Sequence, residues 1–165
     1  MKSSLLLNFS VDKENKKIKV EREFVAPVSN VWAAWTESKL LDQWWAPKPW
    51  KARTKSLDFR VGGQWFYAMV GPNGSEHWAR VEYKSIDPLK SFSAKDAFCD
   101  PNGVIIESFP SSVWTNTFRE TSNSTFVTVE IQHEKLSDLE MIIEMGFKEG
   151  FISALENLDK LLIAC

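Results

Sequence analysis

The sequence predicts an α+β fold in which an antiparallel sheet curls around one long C-terminal helix. Residues 51–133 alternate between turn-forming clusters and runs rich in β-branched and aromatic residues, a pattern typical of antiparallel strands. Residues 137–163 contain no proline and carry apolar residues at helical spacing. A sheet of this size can bury its concave face by curling around such a helix, so we expect residues 1–165 to form one domain.

The predicted order of elements begins with a hairpin. Apolar residues alternate with polar ones on both sides of a turn-like segment at residues 12–15, and the apolar positions are Leu5, Leu7, Phe9, Val11, Ile18, Val20 and Phe24. Two short helices follow. Pro27 suits the first turn of a helix that carries apolar residues up to Trp35, and Thr36 is the candidate cap of a second helix, which must end near Pro47.

Five or six antiparallel strands are predicted after the short helices. Clusters of glycine, proline and asparagine separate them, because these residues favour turn conformations. One such cluster, Gly62-Gly63, joins two predicted strands and lacks the residues of a phosphate-binding loop, so we predict a hairpin turn there. The predicted strands span residues 52–59, 64–70, 76–86, 90–98, 112–119 and 125–133.

The C-terminal helix is predicted to begin at Ser137, which forms a capping-box pattern with Glu140. Its apolar stripe comprises Ile143, Phe147, Phe151, Ala154, Leu155, Leu158, Leu161 and Leu162. The other faces carry Lys148, Glu149, Glu156, Asp159 and Lys160. Gly146 and Gly150 leave room on one margin of the stripe, either for a ligand or for close packing alone. Glu140 and Glu144 also fall on the stripe, either as pocket groups or as solvated carboxylates stabilised by the helix dipole.

Charge and composition exclude several classes of partner. The formal net charge is -2 and no Lys/Arg cluster occurs, so nucleic acid is not an expected partner. No apolar run approaches the ~20 residues of a membrane span, so membrane insertion is not expected. Cys99 and Cys165 are the only cysteines and form no CxxC pair, which favours a reducing compartment. We therefore expect a cytoplasmic protein.

The supply of reactive residues argues against a metal, a cofactor and covalent catalysis. His77 and His133 are the only histidines, and neither has a ligand partner at helical spacing, so both are predicted at the surface or at strand ends. Cys99 lies in no activating motif and is predicted to be a strand-end thiol. We expect no metal site and no cofactor, and we assign no catalytic residue.

The aromatic residues point most directly to function. Eight Trp, eleven Phe and two Tyr indicate a bulky core, a ligand cavity, or both. The candidate ligand-binding residues are Trp35, Trp44, Trp45, Trp50, Phe66, Trp78, Trp114, Phe118, Met145, Phe147 and Phe151. The candidate polar groups of the pocket are Glu140, Glu144 and His77, with Tyr67, Arg80 and Glu107 as further strand positions. The sequence does not separate cavity-lining residues from core residues at single positions.

Several motifs together resemble a known family. They are FVAPVSNVWAAWT at residues 24–36, LLDQWWAP at 40–47, DFRVGGQW at 58–65, GPNG at 71–74 and MGF at 145–147. In this combination the chain resembles single-domain proteins similar to the C-terminal domain of the heat-shock protein 90 ATPase activator, which belong to the START-like, or SRPBCC, superfamily. The resemblance implies a helix-grip fold, in which the sheet grips the C-terminal helix around a cavity that commonly holds apolar ligands.

The chain also departs from that family. Many relatives have tryptophan after the glycine of the last helix, where Phe147 stands here. The namesake also uses a separate N-terminal domain to stimulate its chaperone, so we do not expect chaperone activation from this chain.

Three functions follow as hypotheses. The first is binding of an apolar or aromatic small molecule between the C-terminal helix and the sheet. The second is a cofactor-free cyclase or lyase that uses the same cavity, as some members of the superfamily do, and it requires a carboxylate or histidine at the cavity wall. The third is a protein-interaction module with an exposed aromatic patch at residues 44–50. The ligand, the pathway and the oligomeric state, including a homodimer, stay open.

Overall fold

The structure of the protein, a computed structural model, describes residues 7–164. One eight-stranded antiparallel sheet has the strand order β1-β2-β8-β7-β6-β5-β4-β3. In chain order the elements are β1 (Leu7–Asp12), β2 (Lys17–Phe24), α1 (Val28–Thr36), α2 (Ser38–Trp44), β3 (Lys51–Leu57), β4 (Gln64–Val70), β5 (Glu76–Asp87), β6 (Ser91–Cys99), β7 (Ser112–Glu120), β8 (Thr125–His133), α3 (Leu136–Glu144) and α4 (Phe147–Ala164).

The predicted α+β fold, an antiparallel sheet around the C-terminal helix, is confirmed. The opening hairpin forms β1 and β2, with Leu5 outside the described residues. β4 and β8 have the predicted bounds, and the other four predicted strands differ only by one or two residues at their ends. The two short helices are also confirmed, but Thr36 does not cap the second one. Its hydroxyl donates to the backbone oxygen of Trp32 at 2.8 Å, and Glu37 is the N-cap of α2.

The core lies between the concave face of the sheet and α4. Alternate residues of β2, β7 and β8 are buried on that face, as the period of two in a half-buried strand requires. The predicted apolar stripe meets them from α4, and its buried members are Phe151, Ala154, Leu155, Leu158 and Leu162. Each leucine stabilises the fold by roughly 2 kcal/mol. This packing fixes α4 across the sheet.

A buried ion pair also joins α4 to the sheet. Arg22 of β2 contacts Asp159 of α4, and both side chains are at most 9% exposed. The sequence places Asp159 on a face of the helix outside the apolar stripe, yet its side chain is buried. The carboxylate is buried because Arg22 occupies an inward position of β2, next to the ring of Phe24. A charge buried in this way needs its partner.

The prediction of one uninterrupted C-terminal helix is also wrong. The chain forms α3 and α4, with Gly146 between them at φ 90°. The Gly146 N–H donates to the backbone oxygen of Ile143 at 3.1 Å and closes the last turn of α3. Glycine ends helices in this conformation because a side chain is strained at positive φ. The start of α3 differs too, because Lys135 is its N-cap and Ser137 makes no capping bond.

Candidate functional site

A cavity of about 280 Å³ lies between the sheet and the junction of α3 with α4. Strands β4 to β8, the chain after α2, and residues 142–151 contribute its wall. Two gaps in the side-chain packing widen it, at Gly146 and Gly150. A Cβ atom added at Gly150 would lie 3.6 Å from Cγ of Pro47, an ordinary contact across the cavity edge. The cavity is therefore bounded by the helix junction on one side and by the sheet on the other.

Aromatic rings form much of the cavity wall. Trp45 and Trp114 have centroids 5.7 Å apart, and Trp114 stands edge-on to Phe151 at 5.6 Å. The rings of Phe147 and Phe151 stack at 5.3 Å, because they lie one turn apart on α4. Of the predicted ligand-binding residues, the structure brings together at this wall Trp45, Trp114, Met145, Phe147 and Phe151.

Three of the predicted ligand-binding residues lie in the packed core instead. Trp35, Trp44 and Phe118 are at most 5% exposed and do not line the cavity. The indole N–H of Trp44 donates to the backbone oxygen of Ala34 at 2.8 Å, which satisfies its polar atom inside the core. Because Trp44 is buried and Trp45 and Trp50 are half-buried, an exposed aromatic patch at residues 44–50 loses its basis.

The remaining predicted aromatics lie away from the cavity wall. Phe66 and Trp78 pack on each other at 4.9 Å on the outer face of the sheet, under the ammonium of Lys55. They point outward because their neighbours in sequence, such as Trp65, point inward. Trp50 lies beside His77, with ring centroids 5.2 Å apart, and His77 itself lines the cavity at its exposed edge.

Glu140 and Glu144 do not belong to the cavity wall. Both side chains are exposed on α3, and Glu140 pairs with Lys13 of the first hairpin turn at 3.4 Å. The helical phase that placed them on the stripe assumed one straight helix, and the break at Gly146 removes that common phase. We therefore take both residues out of the set of candidate pocket groups.

Three polar residues of the cavity wall form a row on neighbouring strands. Asp96 on β6 lies opposite Ser112 on β7, and Ser112 lies opposite His133 on β8. Directly opposed residues of antiparallel strands share one face, so all three side chains belong to the cavity side. Both the N–H and the hydroxyl of Ser112 donate to Oδ1 of Asp96, at 3.2 and 2.6 Å. The indole N–H of Trp114 donates to the Ser112 hydroxyl at 3.1 Å.

The burial of Asp96 changes its acidity. Loss of hydration raises the pKa of its carboxyl group to about 6, although the hydrogen bonds from Ser112 and Trp114 act in the opposite direction. Burial lowers the pKa of His133, while Asp138 raises it. A carboxyl group with a pKa near neutrality and a neutral imidazole are groups that can exchange protons with a bound molecule.

A buried tyrosine fixes one of the cavity rings. Tyr67 accepts a hydrogen bond from the indole N–H of Trp45 at 2.9 Å and stacks on Trp65 at 4.0 Å. Burial raises the pKa of its hydroxyl above the ordinary value, so the group stays protonated. Its side chain thus holds the Trp45 ring in a single orientation at the cavity wall.

Sequence reasoning missed Asp96 and His133 as cavity residues. A signal was present for both, because Asp96 has the same strand parity as the buried Phe92 and Ala94. In the same way His133 continues the buried series of Val129 and Ile131. His133 is a strand-end histidine, as predicted, because it ends β8; its side chain is only 3% exposed. Cys99 is the predicted strand-end thiol, and it is buried.

The described residues include neither a cluster of metal ligands nor a membrane-spanning helix. Within residues 7–164, no three His, Cys, Asp or Glu side chains come together as a metal site requires. Among the helices described, none is long and apolar enough to cross a membrane.

Comparison with known proteins gives matches over most of the chain. A family model described as Activator of Hsp90 ATPase homolog 1-like protein matches residues 25–163. The sequence has no match among the curated proteins. The fold is similar to the solution structure of a protein from Arthrobacter aurescens, with 28% identity and a TM-score of 0.91 over 96% of this chain and 92% of that one.

Two further solved structures are similar over nearly their whole length. Protein Ms6760 from Mycobacterium smegmatis has 28% identity and a TM-score of 0.88, over 96% of each chain. A protein from Staphylococcus epidermidis has 29% identity and a TM-score of 0.83, over 94% of each chain. The motif resemblance noted in the sequence is confirmed by these matches.

Proposed function

Because this chain belongs to the family described as Activator of Hsp90 ATPase homolog 1-like protein, we propose that it binds a small apolar or aromatic molecule. The ligand lies in the cavity at the junction of α3 and α4, against Trp45, Trp114 and Phe151. No cofactor takes part. The observation that carries the proposal is a cavity of about 280 Å³ with an aromatic wall, next to the buried apolar core.

The composition of the wall supports a ligand with an apolar body. Small-molecule sites are concave and mostly apolar, with a few polar groups that orient the ligand. Here Met145 and the rings of Phe147 and Phe151 supply the apolar surface on the helix side. Asp96 and His133 supply the polar groups on the sheet side.

The cavity volume limits the size of the ligand. At about 280 Å³ the cavity is slightly smaller than the range of about 300–1,000 Å³ that is typical of small-molecule pockets. A molecule of one to three aromatic rings fits such a volume better than a long acyl chain does. We therefore expect aromatic probes of that size to bind.

A fluorescent probe and two matched variants test the proposal. N-phenylnaphthylamine is neutral, and its emission rises in apolar sites. Ala79 lines the cavity, so Ala79→Phe fills the cavity from the sheet side. The control, Thr115→Phe, adds the same ring at an exposed position of β7, on the other face of the sheet. We expect one saturable site in the wild type and in Thr115→Phe, and a loss of affinity of at least about tenfold in Ala79→Phe.

Equal binding by all three proteins would contradict the proposal, since the probe would then lie outside the cavity. Absence of saturable binding to the wild type would contradict it as well. Unfolding midpoints of both variants, measured alongside, identify a loss of binding that comes from a loss of fold.

A second candidate function is acid–base catalysis in the same cavity. The observation that favours it is the pair Asp96 and His133 at the wall, since the pKa of Asp96 is raised to about 6 by burial. Nitrobenzisoxazole is a small aromatic probe: a base removes its ring proton, the N–O bond breaks and a cyanophenolate forms. Catalysis predicts a rate above background that Asp96→Asn abolishes. A rate equal to background with saturating probe would exclude Asp96 as a base in this cavity.

A further inference from the structure

The carboxylate of Asp96 has no positively charged partner within residues 7–164. It accepts hydrogen bonds from Ser112 and takes part in no salt bridge among the described residues. None of the described side chains that line the cavity is a lysine or an arginine. A carboxylate beside an apolar cavity attracts a cation more strongly than one in water, because the surroundings screen the charge less. The cavity therefore presents an unmatched negative charge.

His133 supplies a second unmatched polar atom to the cavity. Its side chain is 3% exposed and lines the cavity, and its Nδ1 atom has no hydrogen-bond partner. Burial lowers the pKa of the imidazole, which favours the neutral ring. A neutral imidazole with its proton on Nε2 presents Nδ1 as an acceptor. A buried acceptor without a donor is unfavourable, so a ligand N–H that reaches Nδ1 gains from the contact.

The strand register places these two atoms on either side of Ser112. Asp96, Ser112 and His133 are directly opposed on β6, β7 and β8. Neighbouring strands lie about 5 Å apart, so a group above Ser112 stands between the two acceptors. The Ser112 hydroxyl already donates to Asp96 and accepts from Trp114. The Ser112 hydroxyl therefore orients the Asp96 carboxylate, and the space above Ser112 is left for the ligand.

We propose that the ligand is an apolar amine, whose ammonium lies over Ser112 and donates to the carboxylate of Asp96 and to Nδ1 of His133. This inference rests on the proposed function, because it requires the cavity to hold a small molecule. The apolar body of the amine lies against Trp114 and Phe151, which bound the same cavity. An ammonium beside these rings also gains from their negative faces.

Three probes with one body and different polar groups test the proposal. Naphthylmethylamine, naphthylmethanol and naphthoic acid are cationic, neutral and anionic at neutral pH. Quenching of the intrinsic tryptophan fluorescence measures their affinities, since Trp45 and Trp114 line the cavity. We expect the amine to bind at least about tenfold more tightly than the alcohol, and the acid to bind most weakly.

Two variants locate the preference for the amine. Asp96→Asn keeps the shape of the side chain and its acceptor for Ser112 but removes the charge. We expect it to bind the amine and the alcohol within about threefold of each other. The control, Glu140→Gln, removes an exposed carboxylate outside the cavity and retains the wild-type preference.

The outcomes separate this inference from the proposed function. If the three probes bind the wild type with similar affinities, the inference is wrong and the ligand cavity stands. If Asp96→Asn keeps the preference for the amine, the charge that selects it lies elsewhere and the inference is also wrong. If neither these probes nor N-phenylnaphthylamine binds the wild type, both proposals fail; if only N-phenylnaphthylamine binds, the inference alone fails. The wild-type comparison decides by itself if Asp96→Asn does not fold.

Discussion

Two neighbouring regions of the C-terminal segment differ in how far they bury their apolar side chains. The packed half of α4, residues 154–162, buries its apolar stripe against the sheet, and Leu155 and Leu158 are at most 1% exposed. The junction, residues 141–151, has the break at Gly146 and leaves Met145 55% exposed beside the cavity. The packed half therefore holds the fold together, while the junction borders the candidate site.

The carboxylates that face these two regions differ in the same way. Asp159 in the packed half is buried against Arg22. Asp96, across the cavity from the junction, is held by Ser112 and by no cation among the described residues. A buried carboxylate with a partner fixes a helix, whereas one without a cation is costly for folding and available to a ligand. This chain therefore sacrifices stability beside the cavity, where Asp96 lacks a cation among the described residues, and not in the packed half.

The largest expected effect lies in the packed half. Arg22→Ala leaves the Asp159 carboxylate buried without its cation, which is expected to lower the free energy of unfolding by about 3–5 kcal/mol. Lys13→Ala is the control, because it breaks an exposed pair with Glu140 and is expected to cost less than about 1 kcal/mol. Urea unfolding of the three proteins measures both values. Equal small losses would mean that the buried pair does not hold α4.

Truncation of apolar side chains compares the two regions directly. Leu158 is fully buried, so Leu158→Ala is expected to cost about 2–5 kcal/mol. Phe147 is half-buried beside the cavity, so Phe147→Ala is expected to cost about 1–2 kcal/mol despite the larger side chain. The midpoints of urea unfolding give the order. If Phe147→Ala is the more harmful change, the junction is core and not a site.

The pH dependence of stability tests the unmatched charge. The pKa of Asp96 is raised from 3.8 to about 6, so ionisation of this group weakens the fold. The protonated carboxyl group of Asp96 makes its full contribution to stability below about pH 4. This stabilisation is lost as the pH rises through 6, with a total loss on the order of 1–3 kcal/mol. Asp96→Asn removes this loss. We expect the wild type to lose unfolding free energy relative to Asp96→Asn as the pH rises over this range. If unfolding free energy depends on pH in the same way in both proteins, the burial of the charge is contradicted.

The smallest expected effects distinguish the two glycines of the junction. Gly146→Ala places a side chain at φ 90° and is expected to cost about 1 kcal/mol, because that conformation is strained for any residue with a Cβ atom. Gly150→Ala adds a Cβ at an ordinary distance from Pro47 within a helix, and is expected to stabilise the fold by up to about 1 kcal/mol. Thermal unfolding checks the signs. Destabilisation by Gly150→Ala would show that this position is closely packed and not open.

The sequence alone predicts the scaffold well because its signals are local. Alternation of apolar residues and turn clusters place all eight strands, and the apolar stripe identifies the buried face of α4. The break at Gly146 was accessible in principle, since glycine is the usual residue at a helix end. The sequence conceals it because Ile143, Phe147 and Phe151 keep a four-residue spacing across the glycine, as they would in one continuous helix.

The candidate site is less predictable, because it depends on register between distant strands. Five of the eleven predicted aromatic and methionine positions line the cavity. A strand residue lines it only if its side chain points inward, and a helix residue only if it lies at the junction end of the apolar stripe. Asp96 and His133 come together through Ser112 only when three strands pair in one register. Asp96 and His133 lie 37 positions apart in the sequence, so no local motif indicates that they lie close together in the fold.

The most direct test of the difference between the junction and the packed half is an NMR titration of backbone amides with naphthylmethylamine. We expect saturable shifts at Gly146, Phe147 and Gly150, together with Asp96, Ser112 and His133, and unchanged amides from Leu155 to Leu162. Shifts confined to the outer face of the sheet near Trp78, or shifts as large in the packed half as at the junction, would contradict the account.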